Sequence, residues 1–189
     1  MGPLAQEVQD LVTAILASPM RAGRTRLITI DGPAGSGKTT LAAQLAASLQ
    51  SVSIIHMDDL YDGWEKTLTP RLTEKLENIV HQLHHSPKLT YIPYNWNSGS
   101  PGIPIEGPIP DFLILEGVGS GQRSIRQYVS LSIWISAPRD LRLQRGLERD
   151  GAHLRREWRA FQETEDEHFK NEGTESAADY SINGAPSPE

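Results

Sequence analysis

The sequence predicts an α/β fold, a three-layer α/β/α sandwich around a five-stranded parallel sheet. Three observations favour this class. Short apolar runs alternate with segments whose apolar residues recur at helical spacing, as in chains that build parallel sheets. The run at 112–115 is apolar throughout, which is typical of a strand covered on both faces. A glycine-rich turn joins the first apolar run to the helical segment that follows it.

The first half of the chain begins with a helical pattern and then alternates strands and helices. Apolar residues recur every three or four positions over 4–17, and a proline and a glycine end that helix. The β-branched runs at 27–30 and 52–56 predict two strands. Leucine and alanine spacing predicts a helix from about 37 to 50 between them, and apolar residues within 72–83 predict another after them.

The second half opens with residues 86–110, which are rich in Pro, Gly, Ser and Asn and predict a long loop with room for a short hairpin. The strand at 112–115 follows, and a second aliphatic run predicts a strand at 131–135. Proline fits the first turn of a helix, which places one helix at 138–150, with another at 153–170. A last short strand is predicted at 180–182.

Length and composition predict a single domain over residues 1–189, with an N-terminal helix within 1–20, a core at 27–184 and a frayed tail at 185–189. The chain has no cysteine, so it can form neither a disulfide framework nor a thiolate metal site. It has no apolar run near the roughly 20 residues that span a bilayer. Its formal net charge of −6 argues against a nucleic-acid partner. We therefore expect a cytoplasmic protein with no membrane and no nucleic-acid partner.

One motif carries most of the functional prediction. Residues 32–39 read G-P-A-G-S-G-K-T, a full match to G-x-x-x-x-G-K-[ST] between a predicted strand and a predicted helix. Glycines let successive N–H groups point at phosphate oxygens, and the helix N-terminus attracts the same anions. We expect ATP, or GTP, together with Mg²⁺. The candidate nucleotide-binding residues are Gly32, Pro33, Ala34, Gly35, Ser36, Gly37, Lys38, Thr39 and Thr40.

Acidic residues follow two predicted strands at the edge where ligands bind in open α/β sheets. Asp58 and Asp59 come after the second strand, and Glu116 ends the run at 112–115. Such carboxylates can take a proton from an attacking hydroxyl or hold magnesium, whose other candidate ligand is the Thr39 hydroxyl. Residue types alone leave a second interpretation, in which the two aspartates only cap a turn.

Three arginines share one face of the helix at 138–150. Arg142, Arg145 and Arg149 are spaced by three and four residues, and guanidinium groups suit the charge that spreads during phosphoryl transfer. We name them, with Lys38 and Asp58, as candidate catalytic residues. The same spacing also fits a solvated basic stripe.

In several segments, the sequence resembles the uridine kinase-like nucleoside kinases among the P-loop kinases, from about residue 27 to 184. Besides the glycine-rich motif, the segments that carry the resemblance are M-D-D-L-Y (57–61), Y-N-W (94–96), L-E-G (115–117), R-L-Q-R-G-L-E-R-D (142–150) and A-D-Y-S-I-N-G (178–184). The resemblance implies a sheet order of 2-3-1-4-5, Asp58 as the base, and magnesium near Thr39, Asp58 and Glu116. It also implies that an arginine-bearing lid closes over the phosphates. The implied acceptor-binding residues are Asp59, Tyr61, Tyr94, Asn95 and Trp96.

Two positions depart from the family pattern. Asn95 stands where the family usually has aspartate, and Gly146 stands where it often has arginine. The expected function is a small-molecule kinase with a nucleoside as acceptor. Two alternatives stay open: a kinase of another small acceptor, such as a nucleotide or vitamin precursor, and a P-loop protein that binds or slowly hydrolyses ATP as a regulator.

Overall fold

A computed structural model describes residues 3–185, with side chains described from residue 6 onward. Residues 186–189, most of the predicted tail, lie outside the described part. The helices are α1 (Pro3–Ala17), α2 (Lys38–Ala46), α3 (Met57–Leu60), α4 (Pro70–His85), α5 (Arg139–Asp150), α6 (Arg155–Glu172) and α7 (Thr174–Ala177). The strands are β1 (Arg26–Asp31), β2 (Val52–His56), β3 (Lys88–Tyr91), β4 (Tyr94–Asn95), β5 (Ser100–Pro101), β6 (Ile105–Pro108), β7 (Phe112–Glu116), β8 (Val129–Ser136) and β9 (Tyr180–Asn183).

The central sheet has five strands, all parallel, in the order β2-β7-β1-β8-β9. Counting only these five along the chain, the order is 2-3-1-4-5, so the predicted fold and strand order are confirmed. Glu116 at the end of β7 is level with Ile30 of β1 and with His56 of β2. The carboxyl ends of three adjacent strands therefore meet at one edge, where the predicted functional residues lie.

Apolar layers cover both faces of the sheet, because side chains alternate between the faces along each strand. Ile114 of β7 points to the layer formed with α1 and α2, whereas Leu113 and Leu115 point to the layer formed with α4. Every residue of β7 is buried between the two layers, which explains the continuous apolar run of this strand. No helix within residues 3–185 is long and apolar enough to cross a bilayer.

The predicted loop at 86–110 is more regular than its composition suggested. Antiparallel strands β3 and β6 form its base, and β4 and β5 form its tip. We call residues 88–108 the hairpin arm. The backbone N–H of Gly102 donates to the carbonyl of Pro93 at 2.7 Å and joins the two parts of the arm. The arm carries the Y-N-W segment towards α3.

Two local differences from the prediction concern helices. Helix α2 ends at Ala46 rather than near residue 50, and turns lead from there to β2. The short helix α3 begins directly after β2, at the position of the two aspartates, where no helix was predicted. Because α3 starts at Met57, its first turn holds Asp58 and Asp59 at the edge of the sheet.

Candidate active site

The glycine-rich turn joins the end of β1 to the start of α2. Gly32 has φ +135°, and a Cβ there would lie 2.1 Å from the carbonyl oxygen of Ile135 in β8, so only glycine fits. Gly37 has φ +108°, and no atom lies within 4 Å of the place where its Cβ would be. The turn is thus pressed against the sheet on one side and open on the other. All nine predicted nucleotide-binding residues lie in this continuous turn and the first turn of α2.

Lys38 is the first residue of α2, and its side chain is buried within the turn. Its Nζ donates to the carbonyls of Gly32 and Pro33 at 2.7 and 2.9 Å. Burial lowers the pKa of Lys38, and the negative charges of Asp31 and other acids oppose that shift. Thr39 and Thr40 follow on the exposed side, where the first-turn N–H groups of a helix lack helical acceptors. A lysine cation and free N–H groups at one turn suit a polyphosphate.

Two predicted magnesium ligands are in direct contact. The Thr39 hydroxyl donates to Glu116 Oε1 at 3.1 Å, although the two residues are 77 positions apart. Glu116 is buried and also hydrogen-bonds His56, whose pKa is raised first by that bond. Residues 3–185 hold no cluster of three or more His, Asp or Glu side chains arranged for a metal. A hydroxyl beside a carboxylate still fits Mg²⁺, which binds few protein oxygens and keeps several waters.

Asp58, in the first turn of α3, is close enough to Glu116 and Lys38 for their charges to act on it, and we call the space between the glycine-rich turn, Glu116 and Asp58 the cleft. Its side chain is reached by solvent, yet protein atoms crowd it, and that loss of hydration is the first cause that raises its pKa. The negative charge of Glu116 raises the pKa of Asp58 further, whereas Lys38 and Arg149 act in the opposite direction. The pKa of Asp59 is also raised, first by burial. A carboxylate whose pKa moves towards neutrality is suited to accept a proton.

Arg142 does not point into this cleft. Its Nη1 pairs with Glu165 Oε1 at 2.6 Å, and its Nε donates to the carbonyl of Ala137 at 3.0 Å. Both charged groups are almost completely buried. Glu165 Oε2 in turn accepts the backbone N–H of Ala34 in the glycine-rich turn, at 2.7 Å. In this arrangement the pair fixes the outer side of the turn and is not free to touch a phosphate.

Arg145 and Arg149 have different surroundings. Arg145 Nη1 donates to the carbonyls of Gly35 at 3.2 Å and Gly184 at 3.0 Å, which joins the glycine-rich turn to the segment after β9. Arg149 pairs with Asp150 at 2.7 Å, and its side chain is largely exposed. That pair raises the pKa of Arg149, and the carboxylates of the cleft add to the shift. Arg149 is therefore the predicted lid arginine whose charge acts on the cleft.

The predicted acceptor residues divide into two groups. Trp96 and Tyr94 stack edge to face at 5.1 Å between ring centroids, and Trp96 meets Trp64 at 5.6 Å. Trp96 Nε1 donates to the backbone carbonyl of Asp58 at 3.2 Å. We call Trp64, Tyr94 and Trp96 the aromatic wall. It stands beside the candidate base, and Trp96 is 40% exposed, so a planar ligand could stack on it.

Tyr61 and Asn95 have other contacts. Tyr61 is buried, and its hydroxyl donates to the carbonyl of Val118 at 2.8 Å. Burial raises its pKa well above the usual value. Asn95 Oδ1 accepts the backbone N–H groups of Asn97 and Ser98 at 3.0 and 3.2 Å, which stabilises the tip of the hairpin arm. In this arrangement the Tyr61 hydroxyl and the Asn95 side-chain oxygen are both engaged with backbone groups.

Besides His56, which hydrogen-bonds Glu116, three residues at the site were not predicted. Asp31 is buried at the end of β1 and accepts three backbone N–H groups; its position directly before Gly32 was the available signal. Trp64 belongs to the aromatic wall, but nothing in its neighbourhood in the sequence distinguishes it. Glu165 lies in an acidic run that looks like a solvated helix face, so only the fold reveals its burial.

Comparisons with known proteins agree with the fold. A protein from Bacillus stearothermophilus described as a possible uridine kinase has a TM-score of 0.70 and 25% identity, over 96% of this chain and all of its own. A protein from Silicibacter sp. TM1040, provisionally named a fructose transport system kinase, has a TM-score of 0.60. It is 19% identical over 92% of this chain and 98% of its own, so this likeness concerns the fold alone.

Similarity at the sequence level is confined to a short segment. A bifunctional pantoate ligase/cytidylate kinase from Synechococcus sp. (strain JA-3-3Ab) is 54% identical over 50 residues, which is 26% of this chain. The match spans 8% of that relative's length. No protein-family model matches the chain.

The five-stranded parallel sheet and the glycine-rich turn match the fold of the P-loop kinases, and the similarity to the protein from Bacillus stearothermophilus supports a small-molecule kinase in general. Within that class, the similarity is to the uridine kinase-like kinases, so the predicted resemblance is confirmed. Kinases of this class use ATP and Mg²⁺, and the oxygen and nitrogen donors described above fit both.

Proposed function

We propose that this chain is an ATP- and Mg²⁺-dependent phosphotransferase that phosphorylates a hydroxyl of a small molecule, and that the first acceptor class is a nucleoside. We also propose that residues 1–189 form a single kinase domain with its core at 27–184. The observation that carries the proposal is the contact at 3.1 Å between Thr39 of the glycine-rich turn and Glu116. It brings the glycine-rich turn and a strand-end carboxylate together, and the charges of Glu116 and Lys38 both act on Asp58 nearby.

In the proposed reaction, the acceptor oxygen forms a bond to the γ-phosphorus while the bond from that phosphorus to the β–γ bridging oxygen breaks, and ADP leaves. Asp58 takes the proton of the hydroxyl. Thr39, Glu116 and Asp58 would hold magnesium, directly or through water, and the ion would supply positive charge at the phosphates. Lys38 and Arg149 offset the negative charge on the phosphoryl oxygens. Closure of α5 and the segments beside it excludes water from the cleft.

A different role is proposed for the other two arginines. Arg142, in its buried pair with Glu165, and Arg145, bonded to Gly35, hold the turn in shape. Of the three arginines named from spacing, Arg149 is thus our first choice for contact with the phosphates. Closure of the cleft could add Arg145, because its guanidinium already lies at the turn.

The aromatic wall supports a nucleoside as acceptor. Trp64, Tyr94 and Trp96 offer aromatic surface beside Asp58, and stacking of a base on such a surface contributes about 1–3 kcal/mol. Asn95, bonded within its own turn, supplies no recognition of a sugar hydroxyl in this arrangement. Specificity would therefore rest on stacking and on Asp59.

A second acceptor class is a nucleoside monophosphate. The observation that favours it is the segment of 54% identity shared with a relative whose name includes cytidylate kinase. A regulatory protein that binds ATP without an acceptor is the remaining alternative. The raised pKa of Asp58 favours transfer over this alternative, because a binding protein has no use for a base beside the phosphates.

The test is ADP release from ATP and Mg²⁺ with nucleosides, nucleoside monophosphates and vitamin precursors added one at a time, and with GTP in place of ATP. We expect one nucleoside to raise turnover at least tenfold and Asp58→Asn to abolish that gain while ATP still binds. Asp10→Asn is the matched control, because Asp10 is exposed on α1 and its carboxylate accepts a hydrogen bond from Gln6 alone among the described residues. If ATP binds and no acceptor raises turnover, the transfer proposal fails and the regulatory alternative replaces it.

A further inference from the structure

Asp31 is a buried carboxylate that joins two loops far apart in the sequence. Its side chain lies at the end of β1 and is 1% exposed. Oδ1 accepts the backbone N–H of Gly32 at 2.7 Å and of Gly119 at 3.0 Å, and Oδ2 accepts that of Gly121 at 2.8 Å. One of these bonds is to the first residue of the glycine-rich turn. The other two are to a second glycine loop, residues 117–121, which we call the β7 loop.

The β7 loop begins at the residue after Glu116, so its path affects where that carboxylate lies. Gly117 and Gly119 have φ +132° and +84°, which glycine adopts without strain but does not favour over other conformations. Its position is set instead by contacts. The backbone N–H of Gly117 donates to the carbonyl of Ile30 at 3.0 Å, and Tyr61 binds the carbonyl of Val118 from the other side. Beyond Gly117, Asp31 supplies the two bonds that tie the loop back to β1.

We infer that Asp31 is a positioning residue for phosphoryl transfer, because it fixes the β7 loop and the start of the glycine-rich turn to one carboxylate and so holds Glu116 in register with Thr39. The inference rests on the proposed function. Asp31 does not reach the cleft itself, and it would act only through the two loops. An ionised carboxylate is costly to bury, and its three N–H partners use both of its oxygens.

The protonation of Asp31 should have an effect on the β7 loop that can be measured. Burial raises its pKa to about 6, against the three backbone hydrogen bonds and the positive charge of Lys38. The other titratable groups that face it or the β7 loop are Tyr61, Arg126 of the turn before β8, and His168 of α6. When Asp31 takes a proton, it loses its negative charge and one oxygen becomes a hydroxyl, so the hydrogen bonds that it accepts from the backbone N–H groups become weaker. The loop should therefore loosen as the pH falls through about 6.

The first test is Asp31→Asn. The amide oxygen can still accept from Gly32 and Gly119, but the amide N–H₂ faces the N–H of Gly121, so one of the bonds to the β7 loop is lost. We expect kcat to fall at least tenfold. We also expect a fluorescent ATP analogue to bind within threefold of its normal affinity without Mg²⁺, and to lose the gain in affinity that Mg²⁺ gives the unmodified protein.

Thr174→Val is the matched control. Thr174 is buried against Gly121 on the same side as Asp31, and its hydroxyl has no hydrogen-bond partner among the described residues. The substitution keeps the shape of the side chain and removes no bond from the β7 loop. We expect kcat and the effect of Mg²⁺ on nucleotide affinity to stay within twofold of the unmodified protein.

The second test starts from the unmodified protein, so it can be carried out even if Asp31→Asn does not fold. The ¹H–¹⁵N signals of Gly119 and Gly121 are followed from pH 5 to 8 beside the transfer rate. We expect both amides to shift with a midpoint near pH 6 and the rate to fall on the acidic side with the same midpoint. In folded Asp31→Asn the shifts should vanish; shifts that persist belong to His168 and overturn the inference.

The other overturning results are a folded Asp31→Asn protein with kcat and Mg²⁺ response near normal, or amides that titrate while the rate stays constant. The proposed function can fail separately. If no acceptor is found but Asp31→Asn abolishes the gain in nucleotide affinity from Mg²⁺, the positioning role stands without the transfer reaction. In that case Asp31 orders a Mg²⁺–nucleotide site in a protein of another function.

Discussion

Replacement of Gly146 by alanine should destabilise the protein, although alanine is the better helix former. Gly146 is buried in the middle of α5, under the indole ring of Trp158 from α6. A Cβ at Gly146 would lie 2.4 Å from Cζ2 of Trp158 and within 2.6 Å of two more ring atoms. The ring cannot easily retreat, because it is 2% exposed and its Nε1 donates to Asp150 at 3.1 Å.

Two opposing magnitudes decide the sign. The gain in helix propensity from glycine to alanine is about 1 kcal/mol. Overpacking of a filled core costs about 1–3 kcal/mol, and more when the neighbour is a rigid ring. Because three ring atoms would lie closer than any ordinary contact, we place the cost at the upper end and expect a net loss of about 1–2 kcal/mol. For a chain of this length that lowers Tm by about 2–8 °C.

The assay is thermal and urea unfolding of Gly146→Ala beside Gly107→Ala. Gly107 is the matched control, since it has an ordinary φ and nothing lies within 4 Å of a Cβ there. Alanine at Gly107 should leave the free energy of unfolding equal or slightly higher. The penalty at Gly146 should also shrink in a Trp158→Leu background. A Gly146→Ala protein as stable as the unmodified one would refute the reasoning, because the ring would then have moved without cost.

Three further outcomes are expected. Glu165→Gln leaves the buried guanidinium of Arg142 without its counter-charge, so the free energy of unfolding should fall by about 3–5 kcal/mol in urea denaturation, and an unchanged value would mean that the pair is not buried in solution. Because the pKa of Asp31 is raised from 3.8 to about 6, its share of stability is fully present below pH 3.8 and is lost as the pH rises through 6. Relative to Asp31→Asn, the unmodified protein should lose about 3 kcal/mol between pH 3 and 7, and a pH-independent difference would contradict the shift. Trp96→Ala should raise the KM of a nucleoside acceptor about tenfold, at unchanged KM for ATP, and an equal rise in both would exclude stacking on the aromatic wall.

The architecture was open to prediction because it depends on local signals. Each of these signals occupies a few neighbouring residues: the apolar runs of strands, the apolar spacing of helices, and the motif at 32–39. The structure contains the strands and helices that they predict. The strand order came from the resemblance to a family, since apolar runs alone do not say which strands are neighbours. The hairpin arm was underestimated because proline and glycine mask β pairing, although β3 and β6 pair over four residues.

The surroundings of single side chains were less predictable, because their partners are distant in the sequence. Spacing places Arg142 on one helix face with Arg145 and Arg149, but the carboxylate that covers Arg142 is Glu165, 23 residues later. Asp31 directly precedes the glycine-rich turn in the sequence, but its hydrogen-bond partners include glycines about 90 residues later in the chain. Periodicity identifies a face of a helix and leaves open what covers it.

The contact of Arg145 with Gly35 and Gly184 bears on how the protein is made. The glycine-rich turn is synthesised well before Gly184, the residue that follows β9 and forms one flank of the turn. A Cβ at Gly184 would lie 1.9 Å from the carbonyl oxygen of Ser36, so this residue closes directly on the turn. A chain still emerging from the ribosome therefore carries the nucleotide motif long before its support. We expect ATP to protect chains that include Gly184 from proteolysis and to give chains that end before it little protection, because their glycine-rich turn lacks this flank.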